Sequence, residues 1–352
     1  MRIGLLGAGR IGAAHAEVLH AHPEVSELVV ADADAARARR VAQRLGPGAS
    51  TAASVDEVLA ADVDALVIAT PTSSHADLIC RGVEAGLPVF CEKPVAADLK
   101  RTVEVVAQIA QAGAVVQIGF QRRFDAGYRA AREALRSGAL GTLHRMHLVT
   151  ADPAPPPPEY IPHSGGIFRD CHIHDFDIAL WLTGQPVVEV YATGANRGAS
   201  SFAEAGDVDT SVALLTFADG TLATVQGSRY NGGGYDVRAE LAGTAGTYVV
   251  GLDHRAPLRS AEPDVDWPGG SPWPDFWERF RPAYRAEIHA FLDLVAGRGD
   301  NPCTAAEGLE ALYVAEAAEE SRRERRPVRV DDIRAEATPA VAARPGSGGV
   351  AP

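Results

Sequence analysis

Residues 1–12 read Met1-Arg2-Ile3-Gly4-Leu5-Leu6-Gly7-Ala8-Gly9-Arg10-Ile11-Gly12, and the fold is decided there. Arg2 to Leu6 is a short apolar run that stops at Gly7, and Gly7 to Gly12 matches G-x-G-x-x-G. With 35 glycines in the chain the match alone says little, but its context says more. It follows a strand-like run, opens an amphipathic stretch from Ile11 to Ala21, and is followed by Asp32, 20 positions after Gly12. In a dinucleotide-binding turn, Gly7 allows the tight bend, Gly9 lets backbone approach a pyrophosphate, and Gly12 lets the helix lie on the strand. The unpaired N–H groups at the helix start, Arg10 and Ile11 among them, then meet the phosphates. Asp32 would accept bonds from the adenosine ribose hydroxyls and repel a 2′-phosphate. That favours NAD over NADP, although Arg37 or Arg39 could reach such a phosphate.

The same pattern continues outward. Apolar runs recur at Leu28 to Ala31, Ala65 to Ala69, Val89 to Cys91 and Val115 to Ile118, with segments such as Ala33 to Leu45 of helical period between them. Continuous apolar runs joined by helical crossovers imply a parallel sheet covered on both faces. Residues 1–120 are therefore expected to form a doubly wound, Rossmann-type α/β domain.

Two further run ends fall on the ligand-binding edge of such a sheet. Ala69-Thr70-Pro71-Thr72-Ser73-Ser74-His75 is a strand-to-helix turn in which Thr70 and His75 could touch the cofactor; equally, His75 could start the helix and face solvent. Cys91-Glu92-Lys93-Pro94 places Glu92 and Lys93 at the nicotinamide end of the crevice. An ammonium there can hold a substrate hydroxyl and stabilise negative charge on oxygen. The alternative is a surface Glu–Lys pair of little energetic weight.

Past Gly119-Phe120-Gln121-Arg122-Arg123-Phe124 and a helix near Asp125 to Ser137 lies the proline run Pro153 to Pro158, stiff and extended. Gly165-Gly166-Ile167-Phe168-Arg169-Asp170-Cys171-His172-Ile173-His174-Asp175-Phe176-Asp177 then leads into an apolar helix closed by Gly184. Asp170 and His174 are four apart, on one helical face. A histidine beside a carboxylate near a hydride acceptor suits a general base; a satisfied helix histidine is the rival reading. His172, His174, Asp175 and Asp177 are dense in metal ligands, but the two histidines point to different sides of one helix, so no metal is expected. From Val187 to about Tyr248 strand follows strand: Val187 to Tyr191, Thr210 to Phe217, Thr221 to Gln226 and Asp236 to Ala242. Asp219-Gly220 reads as a hairpin turn. This predicts an α+β second domain over 121–334 with a mostly antiparallel open sheet, whose uncovered face would pair copies into a dimer or tetramer. Residues 335–352, rich in Ala, Pro and Gly, read as a disordered tail.

Composition bounds the rest. The chain has 352 residues, about two domains' worth. Lys and Arg number 33 against 46 Asp and Glu, a formal −13 that argues against nucleic acid as a partner. The basic group Arg322, Arg323, Arg325 and Arg326 more simply complements a helix C-terminus. No apolar stretch approaches the roughly 18 residues of a membrane span. The four cysteines, Cys80, Cys91, Cys171 and Cys303, form no C-x-x-C pair, which favours a reducing, cytoplasmic setting.

From Met1 to about Val330 the sequence resembles the glucose–fructose oxidoreductase/inositol dehydrogenase family. The resemblance is carried by the glycine turn, C-E-K-P at Cys91 to Pro94, G-F-Q-R-R-F at Gly119 to Phe124, and G-G-x-x-x-D-x-x-x-H-D at Gly165 to Asp175. Gly234-Tyr235-Asp236-Val237-Arg238-Ala239-Glu240 and the helix from Trp277 to Leu292 make it most similar to the inositol 2-dehydrogenases. The resemblance implies NAD as cofactor and a secondary hydroxyl of a cyclitol, myo-inositol foremost, as the group oxidised. It implies Lys93, Asp170 and His174 as catalytic residues, with His174 taking the hydroxyl proton, and Arg123 and Tyr235 joining them around the polyol. Where many such enzymes carry Arg-Asn-Pro, this chain has Thr150-Ala151-Asp152-Pro153. That leaves scyllo-inositol, an aminocyclitol precursor or a pyranose as rival substrates. A non-catalytic NAD-binding sensor is the rival of another class, and it would need none of Lys93, Asp170 and His174.

Overall fold

The computed structural model describes residues 1–337. The first strand, β1 (Arg2–Leu6), leads through Gly7 into α1 (Arg10–His20), β2 (Glu27–Ala31) and α2 (Ala35–Leu45). Then come β3 (Ala49–Thr51), α3 (Val55–Ala60), β4 (Ala65–Ile68), α4 (His75–Glu84), β5 (Val89–Glu92), α5 (Leu99–Ala112) and β6 (Val116–Gly119). All pairings are parallel, in the order β3-β2-β1-β4-β5-β6. This is the doubly wound arrangement, with the switch point between β1 and β4 where a dinucleotide lies. β3 has no counterpart in the expected runs: Ala49-Ser50-Thr51 is too short and polar to register as an apolar strand, and pairing with β2 alone makes it one.

The second half runs α6 (Ala126–Arg136), β7 (Leu143–Ala151), α7 (Ile167–Asp170), α8 (Ile173–Thr183) and β8 (Val187–Ala195). It continues with α9 (Ser200–Glu204), β9 (Thr210–Phe217), β10 (Leu222–Ser228), β11 (Asp236–Gly243) and β12 (Thr247–Val250). It ends with α10 (Phe276–Val295), α11 (Ala305–Glu324), β13 (Val328–Arg329) and α12 (Val330–Ala337). Its sheet, in order β12-β11-β7-β10-β9-β8-β13, is antiparallel except where β7 runs parallel to β10. β7 sits in mid-sheet although its sequence, Leu143-His144-Arg145-Met146-His147-Leu148-Val149-Thr150-Ala151, shows too little alternation to read as a strand.

Two contacts cross the expected division at residue 120. Ile288, Phe291 and Leu292 of α10 pack with Ile3, Leu5, Leu28 and Val67 of the first sheet, so the C-terminal half of α10 belongs to the first core although it falls within 121–334. In addition, the Ile118 N–H donates to the Cys303 carbonyl at 2.9 Å, which docks the start of α11 against β6. Within the expected tail, Ala335 to Ala337 close α12; the remainder of that segment lies outside the described residues. Among the described residues no helix is long and apolar enough to cross a membrane.

Candidate active site

The carboxyl ends of β1, β2, β4 and β5 carry the glycine turn, Asp32, Thr70 and Lys93 to one edge. Gly7 takes φ +96°, and a Cβ there would meet the Ala69 backbone. A Cβ on Gly12 would overlap the Gly7 carbonyl, so α1 can lie on the turn only with glycine at this position. A Cβ on Gly9 would meet nothing, because Gly9 borders open space. That space is a groove of about 670 Å³ lined by Ala8, Gly9, Arg10, Ala13, Arg37, Arg40, Val41 and Arg44. α1 has no side-chain cap at its start, leaving the first-turn N–H groups of Arg10, Ile11 and Gly12 without intrahelical partners. Asp32 accepts from the Ala8 N–H at 2.7 Å and the Asp34 N–H at 2.8 Å, with Arg37 Nη1 at 3.5 Å. An uncapped helix start, an open glycine approach and an acid at the tip of β2 are the donor set a dinucleotide needs, so these residues fit NAD. Arg10 is exposed, its guanidinium 4.8 Å from the Phe276 ring centre.

His75 is neither solvent-facing nor free to bind. It is buried, and its ring nitrogens lie 2.7 Å from the Pro94 carbonyl and 2.9 Å from the Thr70 carbonyl. It therefore ties the turn after β4 to the turn after β5 and positions Thr70 and Lys93. Thr70 Oγ1 accepts from Ser74 Oγ at 2.8 Å.

Lys93 donates from Nζ to the Asp170 carbonyl oxygen at 2.9 Å and lies 3.5 Å from Asp170 Oδ1. Asp170 is further held by Arg229, whose Nη2 donates to Oδ2 at 2.7 Å, and by the Tyr160 hydroxyl on Oδ1 at 3.1 Å. Burial would raise the Asp170 carboxyl, but the Lys93 and Arg229 charges outweigh it and hold it below the usual carboxylate range. Arg229 is itself buried and its Nη1 also reaches Asp152 Oδ2 at 3.1 Å, bridging two carboxylates. In Asp152 burial wins over Arg229 and the carboxyl moves up.

His174 is half-buried, its ring edge-on to Phe120 at 5.7 Å, and its Nδ1 has no hydrogen-bond partner among the described residues. Burial first, then the positive charges of Lys93 and Arg122, push it well below the ordinary histidine range. It is a neutral imidazole at physiological pH, able to accept a proton.

The expected single helix from Asp170 to His174 does not form. α7 ends at Asp170 and α8 begins at Ile173, so Asp170 turns to Lys93 and Arg229 rather than to His174. Arg123 is also corrected. It is 4% exposed, binds Asp177 through Nε and Nη2, and gives Nη1 to the Pro302 carbonyl and Glu307. With its donors so committed it braces α8 and the start of α11 rather than a substrate. Its neighbour Arg122 is the arginine that acts on His174, while pairing with Asp175 and donating to Thr150 Oγ1 at 2.9 Å. His172, read as a metal-ligand candidate, meets Asp175 Oδ2 and Ser211 Oγ, both at 2.8 Å. Tyr235 is buried, with Arg122, Asp152 and Asp175 all acting on its phenol, which burial pushes up. Sequence reasoning missed Tyr160, Asp152 and Arg229, which bridges Asp152 and Asp170. None belongs to a spaced motif, and the one available signal was an aromatic residue closing a proline-stiffened loop.

Comparison with known proteins follows the same division of the chain. Residues 1–120 match the GFO/IDH/MocA oxidoreductase family, described as an NAD-binding Rossmann fold, and residues 128–249 match the GFO/IDH/MocA C-terminal domain. An inositol 2-dehydrogenase from Rhizobium meliloti is 37% identical over 331 residues, 94% of this chain and 99% of that protein. The crystal structure of a myo-inositol dehydrogenase from Corynebacterium glutamicum superposes with a TM-score of 0.85 at 38% identity, covering 94% of this chain and 98% of that one. That of scyllo-inositol dehydrogenase from Lactobacillus casei, with bound NAD(H) and scyllo-inositol, gives 0.81 at 28% identity, covering 94% and 99%.

Proposed function

The chain belongs to the GFO/IDH/MocA family of NAD-binding oxidoreductases, and from that premise we propose that it oxidises a secondary hydroxyl of a cyclitol, myo-inositol foremost. The observation that carries the reading is a neutral, half-buried His174 with an unpartnered ring nitrogen beside Lys93 and its anchored Asp170. His174 takes the hydroxyl proton as general base. Lys93, fixed by the Asp170 carbonyl, donates a hydrogen bond to the reacting oxygen and stabilises charge there. Asp170, held ionised, keeps the ammonium in place, and Tyr235 and Tyr160 shape the polyol pocket. Held at that edge, NAD would supply the hydride acceptor for the carbon that carries that oxygen. Glu92, Thr70 and the glycine turn complete the cofactor's seat in this reading.

The uncovered face of the second sheet supports self-association. Tyr191 lies opposite Leu214, and Val212 and Leu222 are also exposed there. Four buried free cysteines support a reducing compartment. The test is NADH absorbance with a panel of inositols, aminocyclitols and pyranoses. Turnover is expected first with myo-inositol, and tight NAD binding without turnover on any polyol would sink the enzymatic reading in favour of a sensor.

A further inference from the structure

α10 carries a buried carboxyl that no step of the reaction uses. Glu287 is wholly buried, and neither side-chain oxygen has a hydrogen-bond partner among the described residues. His15 from α1 and Glu92 from the end of β5 face it: one ligand-capable atom from each of the three lies within 4.8 Å of the other two. His15 Nε2 is 2.7 Å from Glu92 Oε1, while His15 Nδ1 is buried without a partner. Gln117 of β6 gives its amide to the Glu287 main-chain oxygen at 3.1 Å. Tyr284, one turn earlier on α10, and Cys303, just before α11, complete the neighbours on which its charge acts. The charge that acts on Glu287 itself is that of Glu92.

Two carboxylates this close, one of them sealed from water, cannot both ionise without an uncompensated buried charge. One must keep a proton. Complete burial selects Glu287, and Glu92, partly exposed and already facing His15, keeps the negative charge. We propose that Glu287 is a neutral carboxylic acid whose proton is kept there by burial and the facing charge of Glu92, and that cofactor binding at Glu92, by altering the charge and solvation Glu287 faces, changes how tightly that proton is held. Only an O–H bond is involved: the proton sits on a Glu287 oxygen, and the pair holds one proton and one negative charge near neutral pH. Burial and the Glu92 charge both push the Glu287 carboxyl well above its usual range, in the same sense. The inference rests on the reading that Glu92 touches the cofactor. It makes α10, an element of the second half, a setter of charge at the edge of the first sheet, which explains an acid placed where a leucine would pack.

Infrared difference spectra of the full-length wild type against Glu287→Gln test this directly. A carboxylic-acid C=O band is expected near neutral pH in wild type only; it should move on exchange into heavy water and shift again when NAD is added. Thermal unfolding supplies an independent readout. Because the folded Glu287 pKa lies above its unfolded value, the stability it contributes is present below the unfolded value and lost as pH rises toward the folded one. Glu287→Gln should therefore gain Tm relative to wild type as pH rises from about 5 to about 8. If that variant does not fold, the band in wild type against Glu92→Gln carries the comparison, since losing the Glu92 charge should let Glu287 titrate at lower pH. Absence of the band overturns the proposal. So does a divalent metal that copurifies stoichiometrically with wild type but not with Glu287→Gln, because a cation would hold both carboxylates ionised. A band that ignores NAD while Glu92→Gln weakens NAD binding overturns the coupling. An unmoved band with unchanged NAD affinity in Glu92→Gln instead overturns the placement of Glu92 against the cofactor.

Discussion

At the scale of single residues, charge decides the chemistry. In the proposed reaction His174 can serve as a base because burial and two neighbouring cations keep it neutral. Activity therefore needs its unprotonated form and is lost only as pH falls through a pKa below the ordinary histidine range. We expect kcat/KM to stay level on the acid side through the ordinary histidine range and to fall only below it; an acid limb centred within or above that range would show that another group is being protonated. His174→Ala should lower kcat by roughly 100-fold or more with NAD affinity nearly unchanged, as read by steady-state kinetics and calorimetry. Arg229 acts through Asp170. Arg229→Gln should raise the Asp170 pKa, move the acid limb upward and cost roughly 10- to 100-fold in kcat, and Arg229→Lys should recover part of the loss. Equal pH profiles in wild type and Arg229→Gln would reduce Arg229 to a packing residue. Asp32→Ala should weaken NAD relative to NADP, since Arg37 then stands uncompensated beside the ribose position.

At the scale of elements, the site is made by interruptions. The break between α7 and α8 lets Asp170 and His174 serve different partners although four residues apart. The adjacent arginines in the turn after β6 diverge: Arg122 pairs with Asp175 and donates to Thr150, and Arg123 locks α8 and the start of α11 to the first sheet. Replacing Arg123 by leucine strips Asp177 of its buried partner. It should cost about 3–5 kcal/mol in denaturant unfolding while leaving KM for the polyol unchanged in the fraction that folds. A selective rise in KM at unaltered stability would return Arg123 to the substrate. The glycine turn is equally exacting, because Gly12 has no room for a methyl group beneath the Gly7 carbonyl.

At the scale of the whole molecule, a formal −13 must coexist with an anionic cofactor. The groove at the first turn of α1 resolves this locally: Arg10, Arg37, Arg40 and Arg44 line it. The second sheet's exposed apolar residues carry the assembly expectation. Leu214→Glu, placed opposite Tyr191, should shift the mass measured by light scattering toward the monomer without changing the circular dichroism. Much of this architecture was legible in the order of residues. Apolar runs, crossover helices, the glycine turn with Asp32, and the spacing of Lys93, Asp170 and His174 are local patterns, written in backbone sterics and side-chain periodicity. Three things were not legible. β3 and β7 exist because a neighbour supplies their hydrogen bonds. Arg122 and Arg123 look alike in sequence and differ only in which buried carboxylate each one meets. Glu287, Glu92 and His15 come from three distant elements and face one another only once the chain has folded. The chain's own sequence determined the Rossmann frame and marked Lys93, Asp170 and His174 as the candidate trio. The tertiary structure alone decided which charges face one another, because electrostatic energy depends on distance and desolvation, and neither is set until α10 and α11 return to the first sheet.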